Sequence, residues 1–143
     1  MARVKIDLPV SFSFATEIPV RITDLNYGGH VGNDTVLSII HEARMQFLHQ
    51  YGCTEMNFGG AGMIMSDVGI EFKQELFYGD VIKASVAMEE ISKVSFVLYY
   101  KLEKEINSRL VLVAAARTGM VCYNYETKKM AAFPEAIKQH FII

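Results

Sequence analysis

The chain has 143 residues, 51% of them hydrophobic and 21% charged, and 14 basic against 16 acidic side chains leave a net charge of −2. That is enough chain for one core, too apolar and too weakly charged to be disordered, and without the basic excess of a dedicated nucleic-acid binder. The longest purely apolar run, residues 110–116, falls far short of the roughly 20 residues that span a bilayer.

Pro9, Ser11 and Ser13 interrupt the apolar start and no cleavage site follows, so the chain is expected to begin at Met1 and to work in the cytoplasm, away from membranes. Cys53 and Cys122 lie in no CxxC or Cys/His pattern, which predicts free thiols and no metal site. No repeat, low-complexity tract or linker divides residues 1–143, and a single domain is expected.

Residues 12–24 set Phe12, Phe14, Ile18, Val20 and Ile22 in alternation with Ser13, Ala15, Glu17 and Arg21, the period of a half-buried strand, with Pro19 marking an edge or bulge. A glycine-rich turn, Asn26-Tyr27-Gly28-Gly29-His30-Val31-Gly32, leads into the one long helical pattern, over residues 33–51. Asn33 or Asp34 is placed to cap its start, and Gly52 stands where a left-handed residue ends a helix. Val36, Leu37, Ile39, Ile40, Ala43, Phe47, Leu48 and Tyr51 cover more than a narrow stripe, so the helix is expected to be buried on most sides.

Period two then takes over. Residues 62–73 carry Ile64, Val68, Ile70 and Phe72 on one face, and Tyr78-Gly79-Asp80 is a turn. Residues 81–91 and 94–104 alternate in the same way, Asn107-Ser108 turns the chain again, and residues 109–125 are apolar on both faces through their middle, as in a central strand. Residues 134–141 close the chain as a short helix. The pattern gives an α+β fold: one antiparallel sheet of five strands wrapped around a long central helix.

Chemistry concentrates in the turn before that helix. Gly28, Gly29 and Gly32 let backbone pass close to a ligand, and a helix N-terminus offers free N–H groups that hold a phosphate or polarise a carbonyl. Asp24, Asn26, His30, Asn33 and Asp34 surround it, while the spacing matches neither a Walker loop nor a dinucleotide fingerprint.

The stretch RITDLNYGGHVGNDTVLSIIHEAR, residues 21–44, resembles the signature of the 4-hydroxybenzoyl-CoA thioesterase-like branch of the hot-dog fold, through Arg21, Asp24, Gly29, His30, Val31, Asn33, Glu42, Ala43 and Arg44. The segments GIEFKQELFYGDVI and ARTGMVCYNYETKKMAAFPEAI resemble the family's strand–turn–strand and its last strand, so the likeness runs over nearly the whole chain. It implies an acyl-CoA or acyl-carrier thioesterase, a homodimer or dimer of dimers with interface sites, and no metal or bound cofactor beyond the CoA of the substrate. It also implies a carbonyl polarised by backbone N–H near Asn33.

The sequence departs from the signature at two places: Asn26 stands where the family carries the second Asp of D-x-D, and Gly32 replaces the first Asn of its N-N pair. An amide is no general base, although it can orient water. The catalytic candidates are therefore Asn26 and His30 to position water, with Asp24 or Asp34 as the base. For each there is a plainer role: Asp24 shaping the turn, His30 bonded to backbone, Asp34 capping the helix dipole. Tyr27, Gly29, Val31 and Asn33 are candidates for substrate contact, as is Asp67, which either faces solvent or reaches a partner's site.

Glu42 and Arg44 sit on the helix, where a buried Glu42 would need an ion pair or a backbone contact. Arg109, Arg117, Lys128 and Lys129 are available for CoA phosphates. The rival class is a non-catalytic acyl-CoA or acyl-carrier binding protein that lost the catalytic Asp at position 26; hydratase signatures are not evident.

Overall fold

Asn33–Gln50 form the 18-residue helix α1, and the rest of the chain is arranged around it in a computed structural model that describes residues 3–141. The strands are β1 (Phe14–Pro19), β2 (Gly62–Phe72), β3 (Val81–Glu89), β4 (Ser95–Ile106), β5 (Arg109–Asn124) and the two-residue β6 (Lys129–Met130). They make one antiparallel sheet in the order β1-β3-β4-β5-β2, with β6 added to β5. The short helix α2 (Glu135–Lys138) follows.

The inward face is Ile82, Ala84 and Val86 of β3, Phe96, Leu98, Tyr100 and Leu102 of β4, and Ala114, Ala116, Met120 and Cys122 of β5. Val36, Ile39, Ile40, Ala43, Phe47 and Leu48 of α1 join them in one hydrophobic cluster, as the wide apolar face of the helix required. Gly52, at φ +70°, takes the left-handed position that ends the helix. Asn107 and Ser108, both at positive φ, make the tight turn between β4 and β5.

Two expectations are corrected. The first strand ends at Pro19 instead of running to residue 24: Val20 donates its N–H to the Asp80 carbonyl, and Ile22–Asp24 coil into a 3-10 turn capped by the Asp24 carboxylate on the Arg21 N–H at 2.8 Å. In β2, a bulge between Met65 and Asp67 resets the alternation. Met63 and Met65 therefore share a face with Val68, Ile70 and Phe72, and Ile64 lies on the other, opposite Val121. The sixth strand was not anticipated because it is two residues long.

The N-terminal segment crosses the outer face of the sheet, where the Ile6 N–H reaches the Glu71 carboxylate at 3.1 Å and Lys101 sits 4.8 Å from the Phe12 ring centre. The sheet has two edges, β1 and β2. The β2 edge exposes Ile64, Met65, Val68 and Phe72.

Candidate active site

The glycine-rich turn closes on itself before it delivers the chain to α1. The Asn26 N–H donates to the His30 carbonyl at 2.9 Å, and the Asn26 side-chain oxygen accepts the Gly28 N–H at 2.9 Å. Gly29 turns the backbone at φ +78°, a conformation that favours glycine.

A second set of bonds stitches the turn to the connection between β2 and β3. Val31 donates to the Leu76 carbonyl at 2.9 Å, and His30 is bridged to Phe77. That connection is anchored from beneath by Lys104 of β4, a buried cation that donates to the Glu75 carbonyl at 2.6 Å and to the Asp80 carboxylate at 3.0 Å. The same Asp80 oxygen takes the Phe77 N–H, and the Lys104 ammonium lies 5.1 Å from the Phe77 ring centre.

Gly32 is the residue before the helix proper, at φ −75° and ψ 160°, and its carbonyl accepts from Thr35 and Val36. Among the described residues no acceptor meets the N–H groups of Asn33 and Asp34. These two donors, at the positive end of the helix, are free for a ligand oxygen.

An open cleft of about 240 Å³ adjoins them. His30, Asn33, Lys73, Gln74 and Glu75 give it a polar rim, and Val31, Val36, Phe72, Leu76 and Val113 give it an apolar wall. The His30 Nε2 stands 4.0 Å from the Glu75 carboxylate, and its Nδ1 is 3.5 Å from the Val31 carbonyl.

Asn26 and Asp34 stand beside Gly32. A Cβ on Gly32 would fall 2.7 Å from Asp34 Oδ1 and 3.5 Å from Asn26 Nδ2. Glycine at 32 thus leaves room for the Asp34 carboxylate, which a Cβ there would force to shift, while the Asn26 amide would stay in ordinary contact. On the other flank, a Cβ on Gly28 would lie 3.3 Å from Asn26 Oδ1 and 3.0 Å from His30 Nε2. The Asn26 amide therefore has its oxygen on the His30 flank and its nitrogen on the Asp34 flank.

The other candidates are placed differently. Asp24 is buried, with one carboxylate oxygen on the Arg21 N–H and the other 3.5 Å from the Arg21 guanidinium. Tyr27 is fully exposed, and Gly29 is exposed in the turn. Asp67 lies on the outer face of β2, ion-paired with Arg117 at 2.7 Å and packed over Gly119, where a Cβ would meet its carboxylate at 2.7 Å. It does not line the cleft.

Glu42 is exposed and bonds the Gln46 amide, so it needs no buried partner. Arg44 is the buried member of that pair, held by Glu55 at 3.2 Å and by the Tyr100 hydroxyl at 3.2 Å. Burial pushes the Tyr100 phenol above its usual range, against the opposing pull of Arg44. Glu75 and Lys104 were missed from the sequence, where both read as ordinary strand or loop charges. Among the described residues no group of three or more His, Cys, Asp or Glu stands together to hold a metal ion, and no helix is long and apolar enough to cross a membrane.

An antiparallel sheet wrapped on one helix, with free N–H groups opening onto a half-apolar cleft, defines the hot-dog thioesterase class. The family profile described as Thioesterase-like superfamily matches residues 20–141. A 1,4-dihydroxy-2-naphthoyl-CoA hydrolase of Microcystis aeruginosa is 30% identical over 122 residues, which are 83% of this chain and 86% of the relative. Among solved structures, a member of the thioesterase superfamily from Jannaschia sp. CCS1 superposes with a TM-score of 0.81 at 18% identity, covering 93% of this chain and 83% of that one. A 1,4-dihydroxy-2-naphthoyl-CoA thioesterase from Synechocystis superposes at 0.77 and 22% identity, covering 88% and 93%. The chain belongs to the thioesterase-like superfamily. Its reaction class is thioester hydrolysis.

Proposed function

We propose that the protein hydrolyses acyl-CoA thioesters to a carboxylic acid and free CoA at the cleft beside the start of α1. The observation that carries this is the pair of free N–H groups at Asn33 and Asp34, opening beside a cleft whose rim holds His30. The thioester carbonyl accepts from those donors, which strengthen their hold as the oxygen becomes an oxyanion. Water attacks the carbonyl carbon, oriented by the Asn26 amide, and Asp34 takes its proton. Asp24 is given the structural task, since its carboxylate serves the Arg21 turn. No metal or bound cofactor enters the chemistry; CoA comes and goes with the substrate.

Val31, Val36, Phe72, Leu76 and Val113 make an acyl wall suited to a flat apolar group. A fused aromatic acyl chain, as named for the Microcystis relative, is therefore the first choice of substrate. The protein works as a homodimer or dimer of dimers joined through the open β2 edge, which brings Asp67 towards the partner's site.

The test is free-thiol release from 1,4-dihydroxy-2-naphthoyl-CoA, benzoyl-CoA, hexanoyl-CoA and palmitoyl-CoA. Background from the protein is low in the folded state: Cys53 and Cys122 are both buried, and burial pushes the Cys122 thiol up to about 11. Turnover is expected, greatest on the aromatic esters. Asn26 favours one second reading, an acyl-CoA binder without catalysis; binding by calorimetry with no thiol released would establish it instead.

A further inference from the structure

We infer that Glu75 is a positioning residue for this reaction, holding the His30 imidazolium that protonates the departing thiolate. This rests on the hydrolase reading above and assigns the half of the chemistry that Asp34 does not perform.

Three observations place Glu75 in that role. Glu75 is the acidic residue among those that line the cleft, with His30, Asn33, Lys73 and Gln74 as its polar neighbours there, and its carboxylate stands 4.0 Å from the His30 Nε2. Its backbone is fixed, because buried Lys104 donates to its carbonyl at 2.6 Å. His30 is fixed to the same connection through its bridge to Phe77 and the Val31–Leu76 bond. The two side chains therefore stand near each other on backbones that are tied together, while Asp34 lies on the Gly32 flank and Asn26 spans both, its oxygen towards His30 and its nitrogen towards Asp34.

His30 and Asp34 lie on opposite flanks of the Asn26 amide, which gives the reaction an attack side at Asp34 and a departure side at His30. On the attack side the bond from water oxygen to carbonyl carbon forms and the water proton passes to Asp34. On the departure side the carbon–sulfur bond breaks and the sulfur takes the imidazolium proton of His30. The proton gathered at Asp34 returns through solvent to His30, so the net reaction consumes one water and releases one acid and one thiol. The anionic Glu75, 4.0 Å away, favours the positive charge of the protonated ring without a direct hydrogen bond to it.

A proton donor to sulfur matters for an alkyl thiolate and hardly at all for a good leaving group. Wild type, Glu75→Gln and Glu75→Asp are therefore compared on two esters of the best acyl group in the panel above, its CoA ester and its 4-nitrothiophenyl ester. Glu75→Gln should lower kcat on the CoA ester about tenfold or more while changing the aryl ester by less than about threefold, and Glu75→Asp should recover part of the loss. The thermal midpoint should stay put, because the His30 and Glu75 side chains are 35% and 65% exposed and such pairs add little to stability. An equal fall on both esters, or no fall on the CoA ester, overturns the role of Glu75 and leaves the hydrolase standing. A wild type inactive on both esters overturns the hydrolase reading itself.

Discussion

At the scale of single residues, the site turns on what Gly32 lacks. Replacing the family's Asn with glycine empties the space that Asp34 Oδ1 and Asn26 Nδ2 border, and the second Asp of the signature is missing at Asn26 itself. On the proposed mechanism the two departures are complementary: Asn26 takes a carboxylate out of the turn, and Gly32 leaves room for the Asp34 carboxylate to act in its place. Gly32→Ala tests this with little risk to the fold, since φ −75° and ψ 160° suit alanine and the only atom a Cβ would crowd below 3.0 Å is the end of the Asp34 side chain. Stability should move by no more than about 1 kcal/mol, the loss of a good cap residue being offset by a stiffer unfolded chain. Turnover should fall at least about tenfold as Asp34 is displaced. Steady-state kinetics beside a urea melt check both; full activity would remove Asp34 as the base. The sequence made Asn26, His30, Asn33 and Asp34 visible because they crowd one glycine-rich turn, but not that Asp24 faces Arg21, since a capped 3-10 turn and a strand end share the same composition here.

At the scale of elements, the β2–β3 connection does more than join two strands. Lys104 reaches it from β4, and the connection in turn holds Val31 and His30. Period two placed the strands and the long apolar run placed the buried helix, yet it could not reveal this brace. Alternation along β4 sets Lys104 on the inward face after Phe96, Leu98, Tyr100 and Leu102, but its charge made it read as an end to the buried run and not as a brace under the loop. The bulge in β2 escaped because one extra residue reverses every later side chain without leaving a mark in the sequence pattern. Lys104→Met should cost about 1.5–3 kcal/mol, the range for hydrogen bonds to a charged group. The loss stops short of that for a fully buried broken pair because Asp80 keeps the Phe77 N–H and is partly wet. Urea denaturation reads the loss, and kcat on the best CoA ester should fall with it as His30 loses its support. An unchanged midpoint would mean that the connection is held by its backbone bonds alone.

At the scale of the whole molecule, the two sheet edges differ. β1 shields its end with Pro19 and lies beside α1, whereas β2 runs for 11 residues with apolar side chains in the open: Ile64, Met65, Val68 and Phe72 are each between 38% and 44% exposed. An edge that long and that apolar is a template for another strand, and the economical occupant is the same strand of a second copy. Phe72 also lines the cleft, so the edge and the site share a wall, and pairing there would narrow an opening that one subunit leaves wide. Val68→Lys should therefore do two things together. It should move the protein from a dimer or tetramer to a monomer in sedimentation equilibrium, because a buried lysine facing its own copy across a two-fold axis is repelled as well as desolvated. It should also lower turnover in proportion to the monomer formed, since the cleft then stays open to water. The position suits the test because Val68 pairs with Thr118 beyond the bulge and takes no part in the cleft lining. A monomeric wild type with full activity would instead make the single-subunit cleft the complete site and leave the β2 edge free for a different partner.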